Sequence, residues 1–157
     1  MRIKVFEQLK CPAGDIRYYE LESLLTDIDE QNSVCLVKGE VRLLRSPRGI
    51  IASGAVHTTL KGWCSRCLDD CYYPMNIDFE EEYLPTVDVH SGQPLLIGDA
   101  NDAFTIDDRY FLDLSEALRQ YILTLKPIKT LCQPECAGLC PSCGQNLNQG
   151  SCHCPSA

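Results

Sequence analysis

Near its C-terminus the chain reads CQPECAGLCPSCGQNLNQGSCHC, residues 132–154, and no other stretch limits the fold as much. Six of the 11 cysteines lie in it, and two more form CSRC at 64–67. Thiols at this density are bonded to one another, bound to metal, or used as reagents. The opening MRIKVFEQLK has no apolar run of signal-peptide length. No stretch approaches the roughly 18 apolar residues of a membrane span. The expected address is therefore the cytoplasm or an organelle derived from one. That compartment is reducing and favours metal or thiol chemistry over structural disulfides. An odd number of cysteines would also leave one unpaired in a fully bridged chain.

The spacing points to metal. In CPSCG, residues 140–144, two thiols separated by two residues can hold one tetrahedral ion from a single tight turn. Gly144 can take a positive φ, and the backbone N–H groups of such a turn can face the sulfurs. CSRC has the same spacing, with Leu68 where glycine would be ideal. Cys132 and Cys136 are separated by three residues, and Cys152 and Cys154 by one. Eight thiolates make two four-ligand sites. The pairing with one long-range closure joins Cys64 and Cys67 to Cys132 and Cys136, and leaves Cys140, Cys143, Cys152 and Cys154 to close the tail. Joining the two C-x-x-C turns is the second arrangement, and a tail-only site is the third. Soft sulfur ligands make zinc the expected ion, one or two per chain. The spacings match no common ferredoxin pattern. His153 is expected as a solvated loop histidine, with replacement of one thiolate as the alternative. The competing uses are disulfides, or a redox pair at Cys64 and Cys67. Cys11, Cys35 and Cys71 sit singly; Cys35 is expected in the core, and the other two have no assigned role.

The rest of the chain reads as one core-forming unit, residues 1–130, with the cysteine-rich tail, 131–157, packed on it. Residues 2–8 alternate like a strand, and 15–26 suit either a strand or a short helix. Residues 33–44 and 49–63 are rich in β-branched side chains and flank RSPRG, so they read as a hairpin. A third strand is expected over 71–85, with CSRC in the turn before it. Residues 86–102 carry Pro, Gly, Asp and Asn and read as a mobile loop, and 103–114 hold a short strand. The segment DLSEALRQYILTLKP then reads as a helix. Asp113 and Glu116 have capping-box spacing, Leu114, Ala117, Leu118, Tyr121, Ile122 and Leu125 share a face, and Pro127 stops it. The expected fold is α+β: an antiparallel sheet, one main helix and a zinc-binding tail.

Net charge is −8, whereas nucleic-acid binders are usually basic because phosphate contacts supply most of their affinity. RNA contact would need a local patch. Its candidates are Arg42, Arg45 and Arg48 around the expected hairpin tip, with Lys61, Arg66, Lys126 and Lys129 near the cysteine segments. The acidic run Asp78, Glu80, Glu81 and Glu82 suits a basic protein partner instead. A closed four-thiolate site has no open position for water, so it offers no hydrolytic chemistry. No nucleophile triad, phosphate loop or small-molecule site stands out, and His57 and His90 are isolated. An enzyme is not expected.

The combination of CSRCLDD, IDFEEEYLP, DLSEALRQYILTLKP and the pattern C-x3-C-x-G-L-C-P-x-C-G-x-N-L-N resembles the YceD family from about residue 33 to the end. These are bacterial and plastid proteins linked to the accumulation of large-subunit ribosomal RNA, and some members lack most of the tail cysteines. The resemblance implies a metal-binding cytoplasmic or plastid factor that supports synthesis, processing or stability of that RNA. Its partner would be the RNA itself or a ribosomal protein.

Overall fold

The computed structural model describes residues 1–28, 34–96 and 104–154. In chain order they form β1 (Arg2–Lys4), α1 (Phe6–Lys10), β2 (Ile16–Leu25), β3 (Cys35–Arg45), β4 (Ile50–Trp63), β5 (Asp70–Pro85), β6 (Phe104–Ile106), β7 (Phe111–Asp113) and α2 (Ser115–Leu125). All seven strands join one sheet in the order β1-β7-β6-β5-β4-β3-β2.

The long strands follow from alternation. Val37, Val41 and Leu43 on β3 and Ile50, Ala52, Val56 and Leu60 on β4 turn inward and are buried. A strand's side chains change face at every residue, so this pattern fixes the register. The inward face is covered by α1 and α2. Leu9, Leu114, Leu118 and Ile122 pack there with Val37, Leu43 and Ile77 in one core. On α2, Tyr121 meets Phe79 edge-on at 6.3 Å between ring centroids, and its hydroxyl donates to Glu81 at 3.0 Å. Among the described residues no element covers the opposite face, where Tyr18, Tyr72 and Trp63 are 71, 66 and 57% exposed.

The β4–β5 ladder runs from Ile50 opposite Tyr83 to Trp63 opposite Asp70. The β3 ladder on β4 stops at Lys38 opposite His57. Beyond His57 the two strands continue as an arm, and CSRC lies at its tip.

Several expectations change. The sheet is mixed, not wholly antiparallel, because β5 and β6 run parallel. Residues 2–8 are not one strand. Val5 and Leu9 are four apart and both buried, a helical spacing that folds Phe6–Lys10 into α1. The ambiguous segment 15–26 is strand β2, paired along β3. Asp113 stands one residue before the position that begins α2, which Leu114 occupies without a side-chain cap. Asp113 still accepts the Ser115 N–H at 2.9 Å, but Glu116 turns to Arg119 and Gln120 and closes no capping box. Leu125, expected on the buried face, is 48% exposed. Residues 86–96 of the expected loop carry a bridge between Val87 and Pro94, and its remainder lies outside the described residues. The short strand expected in 103–114 is two strands, β6 and β7, joined by a turn in which Asp107 Oδ1 accepts the N–H groups of Arg109 and Phe111.

Candidate metal centres

At the arm tip the chain reverses in six residues. Cys64 N–H donates to Asp69 O and Leu68 N–H to Cys64 O, both at 2.9 Å. Leu68 sits at φ 63°, left-handed. The tail repeats this turn: Cys140 N–H donates to Gln145 O at 2.8 Å, Gly144 N–H to Cys140 O at 2.9 Å, and Gly144 lies at φ 73°. The two C-x-x-C segments are therefore the same knuckle, one closed by glycine and one by leucine.

The tail reaches the arm through backbone. Ser65 N–H donates to Thr130 O at 2.7 Å, and Thr130 Oγ1 donates to Trp63 O at 2.6 Å. This docking brings Cys64, Cys67, Cys132 and Cys136 together, with all four sulfurs within 4.8 Å of one another. Cys64 and Cys136 sulfurs are 3.6 Å apart, as are those of Cys67 and Cys132, although 72 and 65 residues separate them in sequence. Cys140, Cys143, Cys152 and Cys154 form a second group under the same limit, with Cys140 and Cys152 at 3.4 Å. A tetrahedral ion with Zn–S bonds of about 2.3 Å needs sulfurs roughly 3.8 Å apart. The separations fit that size and are far too long for disulfides, and all 11 cysteines are free. The sulfurs group as in the pairing with one long-range closure. Each group can hold a metal ion.

The electrostatics of the bare sulfurs point the same way. Burial pushes the Cys64 thiol up, but the N–H groups of Cys67, Arg66 and Cys132 outweigh it and hold it at about 6. The N–H groups of Cys143 and Ser142 bring Cys140 to about 6. Their neighbours move the other way. The Asp69 N–H favours the Cys67 thiolate, but burial and the surrounding sulfurs push it to about 12. Cys154 is pushed to about 11, first by Cys143. One thiolate in each group thus suppresses the next, and only a cation lets four coexist.

Three polar side chains support the first group without being readable as ligands. Asn148 Nδ2 donates to the Cys136 sulfur at 3.3 Å, and its Oδ1 accepts the Ala137 N–H at 2.8 Å. Asn146 ties the tail to Asp69 beside CSRC. Arg66 Nη1 donates to Cys136 O at 2.9 Å. The repeated asparagines of QNLNQ were the only sequence signal for the first two. Gly138, at φ 77°, lets the tail pass this turn: a Cβ there would stand 3.2 Å from Arg66 O.

The proposed RNA-binding cations do not gather into one patch. Arg45 donates to the carbonyls of Leu9, Ser46 and Gly49 and works as a structural clamp. Arg48 pairs with Glu82, and Lys61 with Asp70 at 2.7 Å. Arg66 is used as above, and Lys126 is also engaged. Arg42 and Lys129 form no ion pair among the described residues. Arg45 and Arg48 flank the start of β4 while Lys61 and Arg66 flank its end, roughly 40 Å away at strand rise. Of the acidic run, Asp78, Glu80 and Glu82 point to the open face and Glu81 points inward to Tyr121. A redox role for Cys64 and Cys67 meets an obstacle, since they are 0 and 3% exposed. Cys35 and Cys71 are buried, and the Cys11 sulfur accepts from Arg17.

Residues 52–157 match the model of a family described as large ribosomal RNA subunit accumulation protein YceD. No curated protein and no solved structure matches the chain.

Proposed function

The chain belongs to the YceD family, whose name implies a role in large-subunit ribosomal RNA accumulation, and from that premise we propose a non-enzymatic, zinc-stabilised factor that acts through a ribosomal protein. It would work in the bacterial cytoplasm or in a plastid. Zinc would be held by two thiolate sets, Cys64, Cys67, Cys132 and Cys136 in one, and Cys140, Cys143, Cys152 and Cys154 in the other. Bound there, zinc supplies cross-linking and no open coordination site. The tail, 131–157, would be a unit that folds on the arm only when metal is present.

The observation that carries the choice of partner is the fate of the cations. Arg45, Arg48, Lys61 and Arg66 are bonded within the chain, while Glu20, Glu40, Asp78 and Glu80 on the open face form no ion pair among the described residues. Phosphate binding needs the reverse. Titration of a large-subunit rRNA fragment at several salt concentrations tests this. The expected result is no saturable binding even at low salt. Steeply salt-dependent binding that an Arg42→Glu, Lys129→Glu double variant loses would replace this reading with direct RNA contact.

A further inference from the structure

We infer that the open face of the sheet is a docking surface for a lysine- and arginine-rich extended segment of a protein partner. This rests on the reading above and names its surface and chemistry.

Register places the groups. Glu20 stands directly opposite Glu40, Glu40 opposite Ala55, and Ala55 opposite Asp78, so three carboxylates share one row across four strands. The next row runs Tyr18, Arg42, Ser53, Glu80. Like charges directly opposite one another destabilise a sheet. Yet Glu20, Glu40, Asp78 and Glu80, all exposed, form no ion pair among the described residues, whereas Glu22 and Glu82 on the same face pair with Lys38 and Arg48. Toward the arm tip the same face carries Trp63 and Tyr72, more than half exposed and diagonal to each other across β4 and β5. Exposed aromatic and apolar side chains gathered on one face mark an interaction surface.

Charge selects the occupant. Single-stranded nucleic acid would stack on Trp63 and Tyr72, but its phosphates would meet the carboxylate rows. A second copy would set acidic rows against each other. A cationic peptide satisfies both halves of the face: its ammonium and guanidinium groups pair with Glu40, Asp78 and Glu80, and a guanidinium stacks on the Trp63 or Tyr72 ring.

Trp63 is the only tryptophan in the chain and lies on this face, so its fluorescence reports occupancy. The zinc-loaded full chain is titrated with a synthetic peptide of about 15 residues, Lys and Arg alternating with Leu, and with an oligouridylate of similar length. A face variant (Glu40→Gln, Asp78→Asn, Glu80→Gln) is compared with a variant of equal charge change elsewhere (Glu7→Gln, Asp108→Asn, Glu135→Gln). The expected result is saturable peptide binding that weakens at least tenfold in the face variant and less than twofold in the other, with no response to RNA. Equal weakening in both variants overturns the surface, as does binding of the oligouridylate alone. In cells depleted of the protein, a face variant that restores large-subunit rRNA as well as wild type also overturns the surface while leaving the functional reading in place. Failure of wild type itself to restore that RNA overturns both.

Discussion

The backbone at two equivalent residues is a direct measure of how the metal turns are built. Gly144 and Leu68 close the two knuckles in the same left-handed conformation, at φ 73° and 63°. That conformation costs a side-chain-bearing residue about 1–2 kcal/mol. Leu68 is 65% exposed, so little packing is lost with it. Leu68→Gly is expected to stabilise the zinc-loaded protein by about 1 kcal/mol, and Gly144→Ala to destabilise the tail by about as much. Thermal melts at fixed excess zinc read both shifts; a Leu68→Gly variant that melts lower would show that the leucine side chain, not the backbone, sets the turn. Arg45 offers the second residue-scale test. Its guanidinium satisfies carbonyls of Leu9, Ser46 and Gly49. Arg45→Met is expected to cost about 1–3 kcal/mol in urea unfolding, since the part-buried carbonyls of Leu9 and Ser46 lose this donor while Gly49 O keeps the Ser46 N–H, and to leave partner binding unchanged.

The arm and the tail are the elements that depend on each other. Cys64 belongs to a group shared between them, and Cys143 to a group wholly within the tail. An ion joining Cys67 to Cys132 closes a loop spanning 65 residues, and closure of that length stabilises by about 4 kcal/mol in the chain-entropy model. Cys64→Ser is therefore expected to lower the melting temperature of the whole protein and free the tail to proteolysis. Cys143→Ser is expected to loosen only the tail beyond Gly138 and leave the sheet's melting nearly unchanged. Each variant should lose one equivalent of metal. Identical melting curves for the two would show that the groups are not separate.

For the whole molecule, elemental analysis of protein purified without added metal should find about two zinc ions per chain, the ligand count divided by four. Iron, or no metal, would reject the proposal. Acid should take the molecule apart in order. Thiolates must be deprotonated to hold the ion, so protons compete with metal as pH falls. The carboxylates respond later. Arg119 and Gln120 hold Glu116 at about 2, and Arg48 holds Glu82 below the usual carboxylate range. Groups depressed in the folded state contribute stability that is present above their ordinary pKa, near 4, and is lost as pH falls toward 2. Metal content and tail protection should therefore drop at about pH 5 while the circular dichroism of the sheet persists. Simultaneous loss of both would show that the sheet cannot stand without the metal.

The sequence alone determined what rests on local spacing. Alternation at Val37, Val41, Leu43 and at Ile50, Ala52, Val56 settled β3 and β4, because neighbouring residues must face opposite sides of a sheet. The C-x-x-C spacing and Gly144 marked the knuckles, because one tight turn suffices to aim two sulfurs. Soft ligands in groups of four indicated the metal class. What remained was decided over long separations. Pairing of β5 with β6 makes the sheet mixed, and no local pattern records which distant strand will lie alongside. Val5 and Leu9 bury together only because the sheet presents a face to α1, which overrode the alternation of residues 2–8. The fate of each cation was also tertiary. Arg45 and Arg66 look identical to surface arginines in sequence, and only the fold brings Leu9 O to one and Cys136 O to the other. The open acidic face was legible only in its β5 part, the run from Asp78 to Glu82: Glu20 and Glu40 lie far from it along the chain and join its row only when four strands are laid in register.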